Sequence, residues 1–263
     1  MGSATTQALA ATTTALDAAT GVDLDVAREL FAAARVLGES SQLSGALSDA
    51  AASTAAREKV VADVFGRAFH PASVAVLTAA AQQRWSSSAD LIAGIEELAI
   101  RATATAAPRI DLDGELFGVS RNVAANPELE LALGSRLGDA GAKGALVEKL
   151  LAGRASEATT LIVSQLVQQP RDRRVRALLS RALRIVADQR GRTVATVVTA
   201  AALSEAQATR LQASLAKRYG TEVSLNVVVD PTVVGGVRVE IGDDVIDATV
   251  SSRLNDLRQR LAG

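Results

Sequence analysis

The segment most suggestive of phosphate chemistry is Gly138-Asp139-Ala140-Gly141-Ala142-Lys143-Gly144. A phosphate loop needs glycine directly before its lysine, so that backbone amides close on the phosphates, and Ser or Thr directly after it to hold magnesium. Ala142 and Gly144 occupy those two positions. The spacing therefore fails, and a flexible turn connecting helices is expected instead. His70 is the single histidine and precedes Pro71. As a general base it would need an orienting carboxylate and a nearby nucleophile; a role at a helix start or in an interhelix contact is expected. Asp230, Asp243, Asp244 and Asp247 gather carboxylates, but their spacing fits neither a calcium loop nor a facial triad, so turn and cap duty is expected. Arg171, Arg173, Arg174, Arg176, Arg181 and Arg184 form the one basic concentration. No aromatic residues interleave them for base stacking, so they read as a solvated or partner-facing helix side rather than a nucleic-acid surface. With no cysteine in the chain, thiolate nucleophiles, disulfides, iron–sulfur clusters and cysteine-ligated zinc are excluded. No catalytic, cofactor-binding or metal residue is therefore expected, and no cofactor.

The composition points the same way. Lys and Arg number 28 against 29 Asp and Glu, a balance that excludes a generally basic nucleic-acid binder and an acidic tail and leaves partner binding to local surfaces. Aromatic residues make up 2% of the 263 positions, so small aliphatic side chains on closely packed helices must build the core. No stretch reaches the roughly 18 uninterrupted apolar residues of a membrane-spanning helix, the best run being 193–203, and a soluble chain is expected. Met1-Gly2-Ser3-Ala4-Thr5-Thr6 matches the loose myristoylation pattern, which a Gly/Ser/Ala/Thr-rich start satisfies by chance.

The elements that carry these residues include a repeat. Residues 25–82 align without gaps on 111–168. Glu29-Leu30-Phe31 falls on Glu115-Leu116-Phe117, Arg35 on Arg121, Leu43 on Leu129, Leu47 on Leu133, Val61 on Val147 and Gln82 on Gln168. Conservative pairs lie between them, with Arg57 on Lys143, Val64 on Leu150, Val76 on Ile162 and Leu77 on Val163. Apolar positions recur at helical spacing within each copy, as at Leu146, Leu150 and Leu151. Asn126-Pro127 and His70-Pro71 mark helix starts, because proline suits the first turn and its predecessor disfavours helical angles. A longer helix follows each copy, over about 86–107 and 171–189, the second with a stripe of Val175, Leu178, Leu179, Ala182 and Val186.

After Gly191 the pattern turns to alternation. Val194, Val197 and Val198 sit in a Thr/Val-rich strand, and Ser204-Glu205-Ala206-Gln207 is a capping-box start for a helix to Tyr219 with Leu211 and Leu215 inward. Residues 223–229 read as a strand and Asp230-Pro231 as a turn. Val237, Val239 and Ile241 alternate with Arg238 and Glu240, and Gly242-Asp243-Asp244 turns the chain into Val245 and Ile246. Val250, Leu254, Leu257 and Leu261 form the stripe of a terminal helix. The expected fold is α+β and mostly α: two related helical bundle units, residues 1–107 and 108–190, followed by a small α/β domain over 191–263.

Asp230-Pro231-Thr232-Val233-Val234-Gly235-Gly236, then the strand to Ile241, Gly242-Asp243 and Val245-Ile246-Asp247, closely resembles the C-terminal signature of the delta subunit family of F-type ATP synthases, related to the mitochondrial oligomycin-sensitivity-conferring protein. The resemblance continues upstream through 199–204, Gly191 and Asn126-Pro127-Glu128-Leu129, and so covers roughly 111–263. Two departures stand out. The extra N-terminal copy resembles the longer actinobacterial members, and Ala248-Thr249 replaces a common Gly-Ser after Asp247. Asp230, Pro231, Gly235, Gly236, Gly242, Asp243, Ile246 and Asp247 read as structural signature residues, the glycine pair belonging where the backbone bends and a Cβ would collide. The resemblance implies a non-catalytic stator subunit of the proton-translocating enzyme. It implies as partners the N-terminal helices of the alpha subunits, gripped by the second helical unit, and the b-type stalk subunit, held by the C-terminal domain. It places the chain at the cytoplasmic face of the bacterial plasma membrane, peripherally and only through the complex. Copy two completes the family-length unit, so copy one reads as an added contact. The rival readings are a helical adaptor of another assembly and, more remotely, an enzyme with an unrecognised site.

Overall fold

The computed structural model describes residues 2–135, 138–171, 173–242, 244–252 and 254. Among these the chain runs α1 (Ser3–Ala18), α2 (Leu24–Glu39), α3 (Ser41–Ser48), α4 (Thr54–Phe65), α5 (Pro71–Gln82), α6 (Ser88–Ala106), α7 (Leu112–Ala125), α8 (Pro127–Gly134), α9 (Ala140–Leu151), α10 (Glu157–Gln168), α11 (Val175–Gln189), β1 (Arg192–Thr199), α12 (Glu205–Tyr219), β2 (Glu222–Val229), β3 (Val237–Ile241) and β4 (Asp244–Asp247). The fold is α+β and mostly α, as the periodicity predicts. Packing divides it into two compact units, residues 1–185 and 186–263.

The repeat is visible in the elements of the first unit. α3, α4 and α5 start and end at the same offset from α8, α9 and α10 that sets Asp25 on Asp111. Local chemistry repeats with them. Ser53 caps α4 by accepting from Ala56 N, and Asp139 in the matching place caps α9 by accepting from Ala142 N. Each copy also uses a glutamate from its first helix to close the start of its last one. Glu29 Oε2 accepts from His70 N at 2.8 Å and Ser73 Oγ at 2.5 Å. Glu115 Oε2 accepts from Ser156 N at 2.9 Å, Ser156 Oγ at 2.6 Å and Thr159 Oγ1 at 2.5 Å. Amides of a first helical turn lack intrahelical partners, and a carboxylate there meets both them and the positive end of the helix dipole. The gap-free alignment thus preserves a three-dimensional device, the acceptor and both donor positions together.

The expected boundary at 107/108 follows directly on α6, which packs against α2 and α3 of copy one and against α10 of copy two. Every residue of α6 from Gly94 to Ala104 is buried, as befits a helix enclosed on all sides. Its polar members are paired. Glu97 bonds Arg101 at 2.8 Å and Arg181 at 2.9 Å, while Glu96 meets Arg171, Arg173 and Arg181. Gly94 gives room to Trp85, since a Cβ there would lie 2.3 Å from the indole, and Trp85 Nε1 donates to Ala80 O at 2.9 Å. Arg35 ties the copies further by donating to Gln168 and Gln165.

In the second unit the sheet order is β2-β1-β3-β4, with β1 and β2 parallel and the other pairs antiparallel. The parallel pair requires a crossover, which α12 supplies. Ser204 and Gln207 form the expected capping box. Ala195, Val197, Leu215, Val223, Val239 and Ile241 make the core, with Leu211, Tyr219 and Ile246 packed at its margin. The last turn of α11, residues 186–189, belongs by packing to this unit, slightly ahead of the boundary expected at the change of period after residue 190. The expected terminal helix is described only at its start; Leu257 and Leu261 lie outside the described residues.

Candidate functional site

The first unit carries a groove of about 860 Å³ within copy two. Val119 and Val123 of α7, Leu129 and Leu133 of α8, Val147 and Leu150 of α9 and Val163 of α10 form its apolar walls. The helical period places these residues on the inner sides of their helices. Leu133 and Val147 reach the core, while Leu150 is 39% exposed and so half belongs to the surface. Asp111, Glu115 and Glu128 line the polar margin against a single arginine, Arg154. Burial raises the Glu115 carboxyl, and the bonds from Ser156 and Thr159 more than offset this, holding it below its ordinary value. Such a trough has the dimensions and polarity to receive an apolar helix face.

The described signature residues divide between the two ends of β3: Asp230, Gly235, Gly236 and Asp247 gather at its entry, and Gly242 stands at its exit. Asp230 closes a turn by accepting from Thr232 N at 2.9 Å and Thr232 Oγ1 at 2.7 Å, and Asp247 does the same with Thr249 N and Oγ1. Hydrogen bonds, side-chain first, hold both carboxyls below the usual range. Gly235 and Gly236 each have φ +82°, and a Cβ on Gly236 would stand 2.4 Å from Ala248 O. That close approach lets Ala248 N donate to Val237 O and Val250 N donate to Gly235 O, tying the segment after β4 to the entry of β3. Gly242, at φ +58°, follows β3, and Ile246 sits opposite Val239. Asp243 lies outside the described residues.

Most of the remaining chemical candidates are committed to structure, while Arg174 and Arg184 are exposed as expected of a solvated side. Residues 140–144 do not form a flexible turn: they are the first turns of α9, with Lys143 buried and its Nζ donating to Ser135 O. The Asp139 cap converts the glycine-rich stretch into a helix start. His70 is the N-cap of α5, its Nδ1 accepting from Ala72 N at 3.2 Å. Asp244 accepts from Tyr219 OH at 3.2 Å. The arginine run is not one solvated side, because Arg171, Arg173 and Arg181 turn in to Glu96 and Glu97, and Arg176 pairs with Glu130. The sequence concealed this, since the acidic partners lie on α6 and α8. Among the described residues no three carboxylates or imidazoles gather as a metal site, and no helix is long and apolar enough to cross a membrane. Grooved helical unit and small mixed-sheet unit define a scaffold class, in which the described candidates Asp139, His70, Arg171, Arg173, Arg176 and Arg181 serve caps and ion pairs.

The comparisons place that scaffold. The family profile described as ATP synthase delta (OSCP) subunit matches residues 101–261. An ATP synthase subunit delta from Leifsonia xyli subsp. xyli is 51% identical over 265 residues, covering 100% of both chains. Those from Streptomyces avermitilis and Streptomyces griseus subsp. griseus are 40% identical over 267 residues, covering 98% of both chains, and 39% identical over 271 residues, covering 100% of both. The chain belongs to the ATP synthase delta (OSCP) subunit family. It is a non-catalytic stator subunit of the rotary ATP synthase, a structural part of that membrane-associated complex. Its relatives extend over the whole length, so the N-terminal copy, which precedes the profile match, belongs to a long form of the subunit.

Proposed function

We propose that the chain links the catalytic alpha/beta head to the b-type peripheral stalk, the second helical unit (108–190) receiving N-terminal helices of alpha subunits and the C-terminal domain (191–263) holding the end of the stalk. The observation that carries this reading is the groove of copy two, an apolar trough open on a rigid helical frame. A stator must resist torque without chemistry, and helices packed on small aliphatic side chains give it stiffness. The first unit (1–107) adds a contact and raises avidity. The signature residues Asp230, Pro231, Gly235, Gly236, Gly242, Asp243, Ile246 and Asp247 serve the fold of the stalk-binding domain. The complex sits at the cytoplasmic face of the plasma membrane, and the chain meets no lipid or nucleic acid itself. The test is capture of purified heads and of the b-type subunit by the full chain and by a chain ending at Arg190. The shortened chain should keep the head and lose the stalk; equal capture of the stalk by both would refute the division.

A further inference from the structure

The duplication supplies its own comparison for the groove. Where copy two has Leu151 and Ala155 on the groove wall, copy one has Phe65 and Phe69 in register. The two rings lie 5.1 Å apart between centroids, inclined at 33°, and Phe65 is buried at 2% exposure. The surrounding frame is shared: Leu47 and Leu133 are both buried, as are Val61 and Val147. In register, copy one therefore carries a packed aromatic pair where copy two lines an open trough with Leu151 and Ala155. A wall without a filler forfeits dispersion contacts until something occupies it.

The margin differs in the same sense. Asp25 of copy one is paired with Arg28 from its own helix, which also reaches Glu157 of α10, whereas the matching positions in copy two are Asp111 and Gly114. Copy two thus keeps the carboxylate and drops the cation at that position; Asp111, Glu115 and the exposed Glu128 on its margin face Arg154 alone, so the margin keeps an acidic excess.

We propose that the groove takes an amphipathic helix presenting a bulky aromatic side chain flanked by lysine or arginine, the counterparts of Phe69 and Arg28 at the matching positions of copy one. The aromatic enters between Leu151 and Ala155, and the cation meets Asp111 and Glu128. This rests on the head-binding reading above and specifies what the head must offer there.

The experiment uses the full chain, with purified catalytic head of the same organism as the probe. Leu151→Phe with Ala155→Phe recreates the copy-one pair and closes the trough. Head affinity should fall tenfold or more, with an unchanged or raised melting temperature and undiminished capture of the b-type subunit. A second variant, Asp111→Asn with Glu128→Gln, keeps the capping geometry of α7 and needs no repacking. It should weaken binding severalfold at low salt and flatten the salt dependence, because exposed charges act through a screened field. Parent-like head binding by either folded variant overturns the proposal. A parent that binds no head overturns the functional reading and this inference with it. A parent that self-associates, with self-association lost and head binding kept in the aromatic variant, shows the occupant to be a second copy and overturns it too.

Discussion

Replacing Glu115 by alanine tests whether the glutamate clamp is a working part of the fold. In the parent one carboxylate oxygen accepts three hydrogen bonds, from Ser156 N, Ser156 Oγ and Thr159 Oγ1 at 2.9, 2.6 and 2.5 Å. A hydrogen bond to a charged group contributes about 1.5–3 kcal/mol, but the three are not additive here. The Ser156 hydroxyl can still accept from Thr159 N and donate to Thr159 Oγ1, so the lasting loss is the amide of Ser156 and the charge at the start of α10. Partial solvent exposure of Glu115 lowers the figure further. We expect about 2 kcal/mol in urea unfolding, a fall of roughly 4–8 °C in melting temperature for a unit of this size. The pH dependence has a definite sign. The folded-state pKa of Glu115 lies below its ordinary value of 4.5, so its stabilisation is complete above that value and fades as pH falls through the folded pKa. Parent and variant should converge on acidification because the parent loses stability. A cost under about 0.5 kcal/mol at neutral pH, well short of one charged hydrogen bond, or a gap that persists in acid, refutes the reasoning.

Glu96→Ala should be more severe, about 3–5 kcal/mol by denaturant titration, because Arg171, Arg173 and Arg181 would then converge on α6 without their shared carboxylate. Gly236→Ala should cost about 2 kcal/mol or more in the C-terminal unit, since it combines a left-handed φ with a backbone clash against Ala248; faster amide exchange at Ala248 would report the loosened strand entry. Gly94→Ala should push Trp85 off α6, costing about 1–3 kcal/mol and red-shifting the emission of the only tryptophan.

Features with a local cause could be read from the sequence, and features whose cause lies far along the chain could not. The capping box at Ser204, the proline starts of α5 and α8 and the alternation of β3 depend on neighbours a few residues away, and each stands where its pattern predicts. Of the glycine pair, Gly236 shows the expected collision and Gly235 does not, and the colliding atom, Ala248 O, could not be named without the hairpin. Residues 138–144 misled because glycine content suggests a turn, while one aspartate in the cap position is enough to start a helix there. The arginine run misled for a different reason. Its partners Glu96 and Glu97 lie in what reads as an ordinary amphipathic helix, and only enclosure of that helix turns those glutamates inward. The groove was hidden as well, although the substitution of Phe69 by Ala155 between aligned copies was a usable signal for it.

The position of α6 changes what the duplication means. In sequence the second copy with its following helix is complete at family length, which suggests that a chain begun near Ala106 would still fold and bind the head, with weaker attachment to the stalk. The folded chain gives α6 to both copies. Its residues pack on α2 and α3 on one side and on α10 on another, and its two glutamates neutralise arginines that precede and lie within α11. A chain begun at Ala106 would lose that central helix, uncover α10, and leave Arg171, Arg173 and Arg181 without their carboxylates, the condition in which a buried charge network is most costly. Cutting before Ser88 instead keeps the pairs but exposes the side of α6 that copy one covers. Neither copy is therefore an independent bead. A shared, fully enclosed helix makes deformation of one copy strain the other, and that coupling suits a part whose task is to hold still under torque.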